Sequence, residues 1–243
     1  MGCTLSMLQQ LSGINIVMFY SSTIMSSSGL PPNYITALVG FVNCVSVFPT
    51  IALFRKFGRK ILLWTLSLAI AASLVGLGVC LLVDANAKLD SITLDVGNKT
   101  AQAMSVVCLM LFIMFFELSL GPLLWVYLSE VMTEKGLSLG VGVNQIFTVV
   151  IAFFTSDLIK LFGNVQSTDN DKMTDIHTEM GTSRLFLTCG GITFFCAMFC
   201  LFLLKETKGL TDKEVAVLYS RDKHDQVTKE SGSYLALDRD MSN

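Results

Sequence analysis

Residues 103–129 read AMSVVCLMLFIMFFELSLGPLLWVYLS, and this stretch decides the class of fold. A helix rises 1.5 Å per residue, so about 20 apolar residues cross a ~30 Å hydrocarbon core. The run exceeds that length and holds one charged side chain, Glu117. A helix of a water-soluble domain would carry a polar stripe along one side. This one has none, so lipid is its expected solvent.

Working outward, five further runs have the same character, at about 4–26, 34–54, 61–83, 137–162 and 185–204. Together they predict an all-α membrane protein with six transmembrane helices. The first run is read as a retained helix: it lacks a basic leader and a small-residue cleavage site, and it carries Gln9, Gln10 and Asn15 in its middle. Composition agrees. The 243 residues are 52% hydrophobic and 15% charged, against about 25% charged in soluble domains, and the mean hydropathy is +0.62.

Several function classes drop out. Net charge is −2, and the densest basic group is Arg55, Lys56, Arg59 and Lys60, so no nucleic-acid partner is expected. The seven cysteines lie in or beside apolar runs without a CxxC pattern and read as small buried hydrophobes. Neither His177 nor His224 lies in an apolar run, so no intramembrane histidine relay is expected. With no Ser/His/Asp, Cys/His or metal-ligand grouping, an enzyme, a metal and a cofactor are all expected to be absent.

Lys and Arg gather at 55–60 and at Lys205 and Lys208, with Glu134-Lys135 between the fourth and fifth runs. The positive-inside rule puts these connections in the cytoplasm. The connections 27–33, 84–102 and 163–184 then face outward, and Asn98-Lys99-Thr100 has the form of an N-glycosylation acceptor. Both chain ends come out cytoplasmic. Residues 1–209 form the expected bundle, and 210–243 a polar cytoplasmic tail.

Polar residues inside the runs point to function. An ionisable group at membrane depth needs a partner or a watery cavity. Glu117 stands just before Gly121-Pro122, which should break helix hydrogen bonding. It either lines a cavity or hydrogen-bonds a neighbouring helix. In the first run Gln9, Gly13 and Tyr20 fall at i, i+4 and i+11, close to one face, with Gln10 and Asn15 nearby. Amides and hydroxyls donate and accept at once, as a neutral polyol demands, and an aromatic ring suits its CH surface. Interhelical glue would explain one or two such residues more easily than a cluster. Asn43 and Asn144-Gln145 extend the inventory to two further runs.

The same residues carry a likeness. Gln9-Gln10-Leu11-Ser12-Gly13-Ile14-Asn15 resembles the seventh-helix QQxSGxN motif of the sugar porters of the major facilitator superfamily, and it runs on into Phe19-Tyr20. Phe57-Gly58-Arg59-Lys60 is similar to the turn between the family's eighth and ninth helices. Glu117 to Trp125 resembles the tenth-helix pattern, with Glu130 after it, and Glu206-Thr207-Lys208-Gly209 the PETKG signature after the twelfth. The fold implied is the C-terminal six-helix bundle of a major facilitator carrier.

The resemblance implies a sugar site of Gln9, Gln10, Asn15, Asn43, Glu117, Trp125 and Asn144. It implies an extracellular gate of Phe19 and Tyr20, and a cytoplasmic conformational network of Arg59, Lys60 and Glu130. Departures stand out. Arg55 replaces an acidic residue, Leu137 sits where an Arg is usual, Lys205 replaces the Pro of PETKG, and Gln145 replaces a Trp.

Because the family has twelve helices, a second, N-terminal six-helix bundle is the expected partner, alongside lipid and a hexose or related polyol. Alternating access rocks two bundles about a shared midplane site, so this chain alone is expected to be inactive, as a fragment or half of a hexose carrier of the plasma membrane. The alternative is a non-transporting sugar sensor or membrane assembly partner built on the same bundle.

Overall fold

The computed structural model describes residues 2–26, 32–90, 99–164, 171–210, 214–215 and 219. These residues form helices and short connections, without a strand among them. The order is α1 (Gly2–Leu11), α2 (Ile14–Ser26), α3 (Pro32–Lys56), α4 (Arg59–Asp90), α5 (Lys99–Leu118), α6 (Pro122–Val131), α7 (Glu134–Gly163) and α8 (Asp171–Leu203).

Local sequence sets several boundaries. α3 and α6 open on Pro32 and Pro122, where a missing backbone N–H costs no intrahelical bond. α7 starts after Thr133, whose hydroxyl accepts from Gly136 N at 3.4 Å. It ends at Asn164 in the left-handed conformation, φ 51, a residue type that tolerates that region.

Four stretches are long and apolar enough to cross a membrane: Arg59–Leu89, Lys99–Val131, Glu134–Gly163 and Met173–Leu203. The two other runs read from the sequence behave differently among the described residues. The first is interrupted between α1 and α2, and α3 contains a shorter apolar stretch, Ala37–Thr50.

α4 packs most extensively on α8 and next on α5; α7 lies against α1 and α8, and α3 against α5 and α2. Leu63, Ile70, Leu74 and Leu77 recur along one side of α4 at helical spacing and are wholly buried. They share a core with Leu109, Phe112 and Ile113 of α5, Leu123 and Leu124 of α6, and Phe186 and Cys196 of α8. The outside is apolar as well. Phe48, Phe153, Leu161 and Phe202 are each at least 70% exposed, a surface that suits acyl chains and would aggregate in water.

The helices run further than the apolar stretches. α4 continues to Asp90 and α8 begins at Asp171, so most of the segment read as the connection 163–184 is helical, and the connection 84–102 is helical at both ends. Hydropathy misses these turns because their polar groups are met by protein. Lys88 Nζ lies 3.0 Å from Asp84 and 2.6 Å from Glu179 of α8, Gln102 of α5 donates to Asp84 at 3.2 Å, and Ser183 Oγ donates to Gly78 O at 2.6 Å. Asn98, residues 27–31, the Arg55 side chain and residues 220–243 lie outside the described residues.

Candidate functional site: a relay of amides between two helix breaks

α1 ends with Gln9 and Gln10 in its last turn. Ser12 N and Gly13 N then bond back to Gln9 O and Gln10 O at 3.3 and 3.2 Å, tightening the turn. Gly13 takes φ +87, where a side chain would be strained, and a Cβ there would also press on Cys189 of α8. The chain restarts as α2 at Ile14, which places Asn15 in the first turn of the new helix.

The second break lies between α5 and α6. Pro122 has no N–H to offer, and Leu124 N reaches back to Ser119 O at 3.3 Å while Gly121 N bonds Phe116 O at 2.9 Å. The regular partner of Leu120 O is thereby diverted. Gln9 Nε2 takes its place, donating to Leu120 O at 2.5 Å, which satisfies a buried carbonyl that the proline turn left over.

From that bond a relay of amides runs across three helices. Asn15 Nδ2 donates to Gln10 Oε1 at 2.6 Å, Gln10 Nε2 to Asn144 Oδ1 at 2.8 Å, and Asn144 Nδ2 to Gln9 Oε1 at 2.6 Å and Ser6 O at 2.9 Å. Gln9, Gln10 and Asn144 are buried, and Asn15, at the head of the relay, is half-buried. On the other side of the second break, Asn43 Nδ2 of α3 donates to Glu117 Oε1 at 3.0 Å. Thr50 Oγ1 lies 3.2 Å from Glu117 O and 3.1 Å from Ser46 O.

Six of the seven residues proposed for a sugar site therefore fall into two hydrogen-bonded groups, Gln9, Gln10, Asn15 and Asn144 in one and Asn43 and Glu117 in the other, which meet along the backbone of residues 117–120. Trp125 is close in sequence, near the start of α6, half-buried against the core. Tyr20 is half-buried against the same core, whereas Phe19 is 60% exposed. Sequence reasoning missed Ser6, Thr50 and the carbonyl of Leu120. Only the last of these had a signal, an indirect one: Pro122 interrupts the regular ladder around 118–121, so carbonyls there need other donors.

Chemically, the region holds amides able to donate and accept in either sense, with one carboxylate beside them. Asn15 Oδ1 and Glu117 Oε2 have no partner among the described residues. The set matches a neutral, many-hydroxyl ligand better than an ion.

A second cluster lies at the Arg59 end of α4, roughly 40 Å from the Lys88 end at 1.5 Å per residue. Arg59 Nη2 meets Glu130 Oε1 at 3.1 Å, and Thr207 Oγ1 donates to Glu130 Oε2 at 2.7 Å. The Glu206 carboxylate accepts from Arg59 N at 2.8 Å and Lys60 N at 3.1 Å, the free N–H groups of the first turn of α4. Gly58 makes room for it, since a Cβ there would collide with that carboxylate. Lys60 joins the network through its backbone. Leu137, in place of the usual Arg, packs against the core.

The fold is shared with the proton:xylose symporter XylE bound to 6-bromo-6-deoxy-D-glucose, with a TM-score of 0.68 and 23% identity over 90% of this chain and 42% of that one. A double-tryptophan XylE variant gives a TM-score of 0.70 at 22% identity, with the same coverage. In sequence the chain is 31% identical over 226 residues to the major facilitator-type transporter ecdD of Aspergillus rugulosus, covering 90% of this chain and 39% of that protein. It is 29% identical to probable polyol transporter 6 of Arabidopsis thaliana (93% and 42%), and 30% to the facilitated trehalose transporter Tret1 of Bombyx mori (87% and 38%). The chain thus spans about two fifths of the length of these relatives. The family model described as Sugar (and other) transporter matches residues 1–219, and the chain belongs to that family of integral membrane transporters.

Proposed function

We propose that this chain is the C-terminal six-helix bundle of a twelve-helix carrier that moves a hexose, or a closely related polyol, across the plasma membrane by alternating access. In this reading α1–α2 form one span and α3 another, beside the four long helices, and both termini lie in the cytoplasm. Residues 210–243 form the cytoplasmic tail. Gln9, Gln10, Asn15, Asn43, Glu117, Trp125 and Asn144 line this half of the sugar site. Phe19 and Tyr20 gate it from outside, and Arg59, Lys60 and Glu130 belong to the network at the cytoplasmic end. Without its partner bundle the chain binds at most weakly and does not transport.

The observation that carries the reading is the amide relay set between two broken helices. A hydroxyl group of a sugar can replace one amide partner with another of similar strength, so entry of the ligand exchanges hydrogen bonds without stranding a charge. The two breaks, joined by the Gln9–Leu120 bond, supply the non-helical backbone that transporters place only where it lines a cavity or is buried in protein.

The test is radiolabelled hexose uptake by the full-length gene product in cells lacking their own hexose carriers. Asn15→Ala removes one neutral hydrogen bond to the ligand, about 1 kcal/mol, and raises KM about fivefold. Gln10→Ala acts in the same direction. Unchanged uptake in both variants would sink the site assignment, and the chain expressed alone should give none.

A further inference from the structure

We infer that Tyr219 is a positioning residue, which latches the segment after α8 onto α6 through a closed ring of hydrogen bonds made possible by Lys205. Three groups form the ring. Tyr127 OH lies 3.0 Å from Lys205 O, Tyr219 OH lies 2.5 Å from Tyr127 OH, and Lys205 N lies 2.8 Å from Tyr219 OH.

Proton counting fixes the direction. A phenol has one proton to give. Tyr127 gives its proton to Lys205 O, which accepts only, so the bond between the two phenols is donated by Tyr219. The Tyr219 oxygen is then free to accept from Lys205 N–H. The ring closes at a single residue of the main chain, whose N–H is shared, with Tyr219 OH as the nearer acceptor and Tyr127 OH as a second one at 3.3 Å. Lys205 also holds its Nζ 5.5 Å from the centre of the Tyr219 ring, so the tyrosine is held at its hydroxyl by the backbone and at its face by the side chain.

Lys205 occupies the position that is proline in the PETKG-type signature. Proline has no N–H and would open the ring at its only backbone donor. The latch is therefore a property of this sequence and of no chain with proline there. Its attachment point matters too. Tyr127 sits on α6, directly after the break at 119–121, and is wholly buried. Glu130, one turn on, is joined to Thr207 and Arg59. The far half of a broken helix is thus moored to the post-α8 segment at two successive turns, and Val215 of that segment is 2% exposed.

Amide hydrogen exchange of the full chain in lipid nanodiscs tests this without reference to sugar. Tyr219→Phe and Lys205→Pro are expected to speed exchange about fivefold or more, both at Glu214, Val215 and Tyr219 and in the last turn of α6, Leu128–Val131. Lys205→Ala keeps the N–H and gives up only the contact with the ring face, so its acceleration should stay at about two- to threefold and below that of Lys205→Pro, which separates the ring from a general loss of packing. The melting temperature should stay within about a degree for Tyr219→Phe. Parent-like exchange in Tyr219→Phe, a change confined to Glu214, Val215 and Tyr219, or equal acceleration in Lys205→Ala and Lys205→Pro would each overturn the inference.

Discussion

The two polar clusters solve opposite problems. The relay between the helix breaks is built from neutral amides, nearly sealed from solvent, each able to turn from donor to acceptor by rotating its end group. The cluster at the Arg59 end is built from ions about a quarter exposed, anchored on N–H groups that point one way. A charge deep in the membrane is costly wherever its partner leaves, so under the proposed function a region that trades partners with a ligand is better made of amides. Under the same proposal an end that holds one arrangement until it is released tolerates ions, because water is near when they part.

That contrast is broken most directly at its hub. Asn144 accepts from Gln10 and donates to Gln9 and Ser6 O, so Asn144→Leu breaks three hydrogen bonds and leaves Gln10 Nε2 and Gln9 Oε1 without their partner, while Ser6 O keeps its place in the α1 ladder. Membrane hydrogen bonds average about 0.6 and reach about 1.7 kcal/mol each, and the expected loss is roughly 2–4 kcal/mol in unfolding from detergent micelles. A loss below about 1 kcal/mol would mean that the relay does not hold α1 to α7. Glu206→Ala comes next. It removes the carboxylate from the first turn of α4, a cap and dipole interaction together of about 1–2 kcal/mol. The same unfolding assay reads it, and no loss would show that the end cluster is held by its other bonds.

The membrane class was legible because the six runs and their segregated charges need nothing but hydropathy, and the break at Gly121-Pro122 because a missing N–H is written in the sequence. The break at Gly13 was harder to see. Glycine is common in membrane helices for close packing, and only the backbone reveals its φ of +87. The polar start of α8 read as a connection, since hydropathy reports lipid contact and not helix formation. Its groups turn out to be met locally: Thr182 bonds Thr178 O, and Arg184 reaches Phe162 O on α7. The candidate residues could be named from composition and motif, but their partners could not. Gln10 and Asn144 lie 134 positions apart, and which amide donates to which is fixed only when α1 packs on α7.

The smallest expected effect is the sharpest probe of the comparison. Arg59→Lys keeps the charge but loses the flat guanidinium that faces Glu130. Because both side chains are about a quarter exposed, the pair is discounted for solvent screening, and the change should cost only about 0.5 kcal/mol. That cost should shrink in about 0.5 M salt, where the Debye length falls to a few ångströms, while the cost of Asn144→Leu should not move, since its bonds join neutral groups. The two clusters share no residue, so the double variant should lose the sum of the two single losses within about 0.5 kcal/mol. A larger coupling would mean that the amide relay and the ionic end are one cooperative unit, joined through α6, and the division of labour argued from their chemistry would then have to be given up.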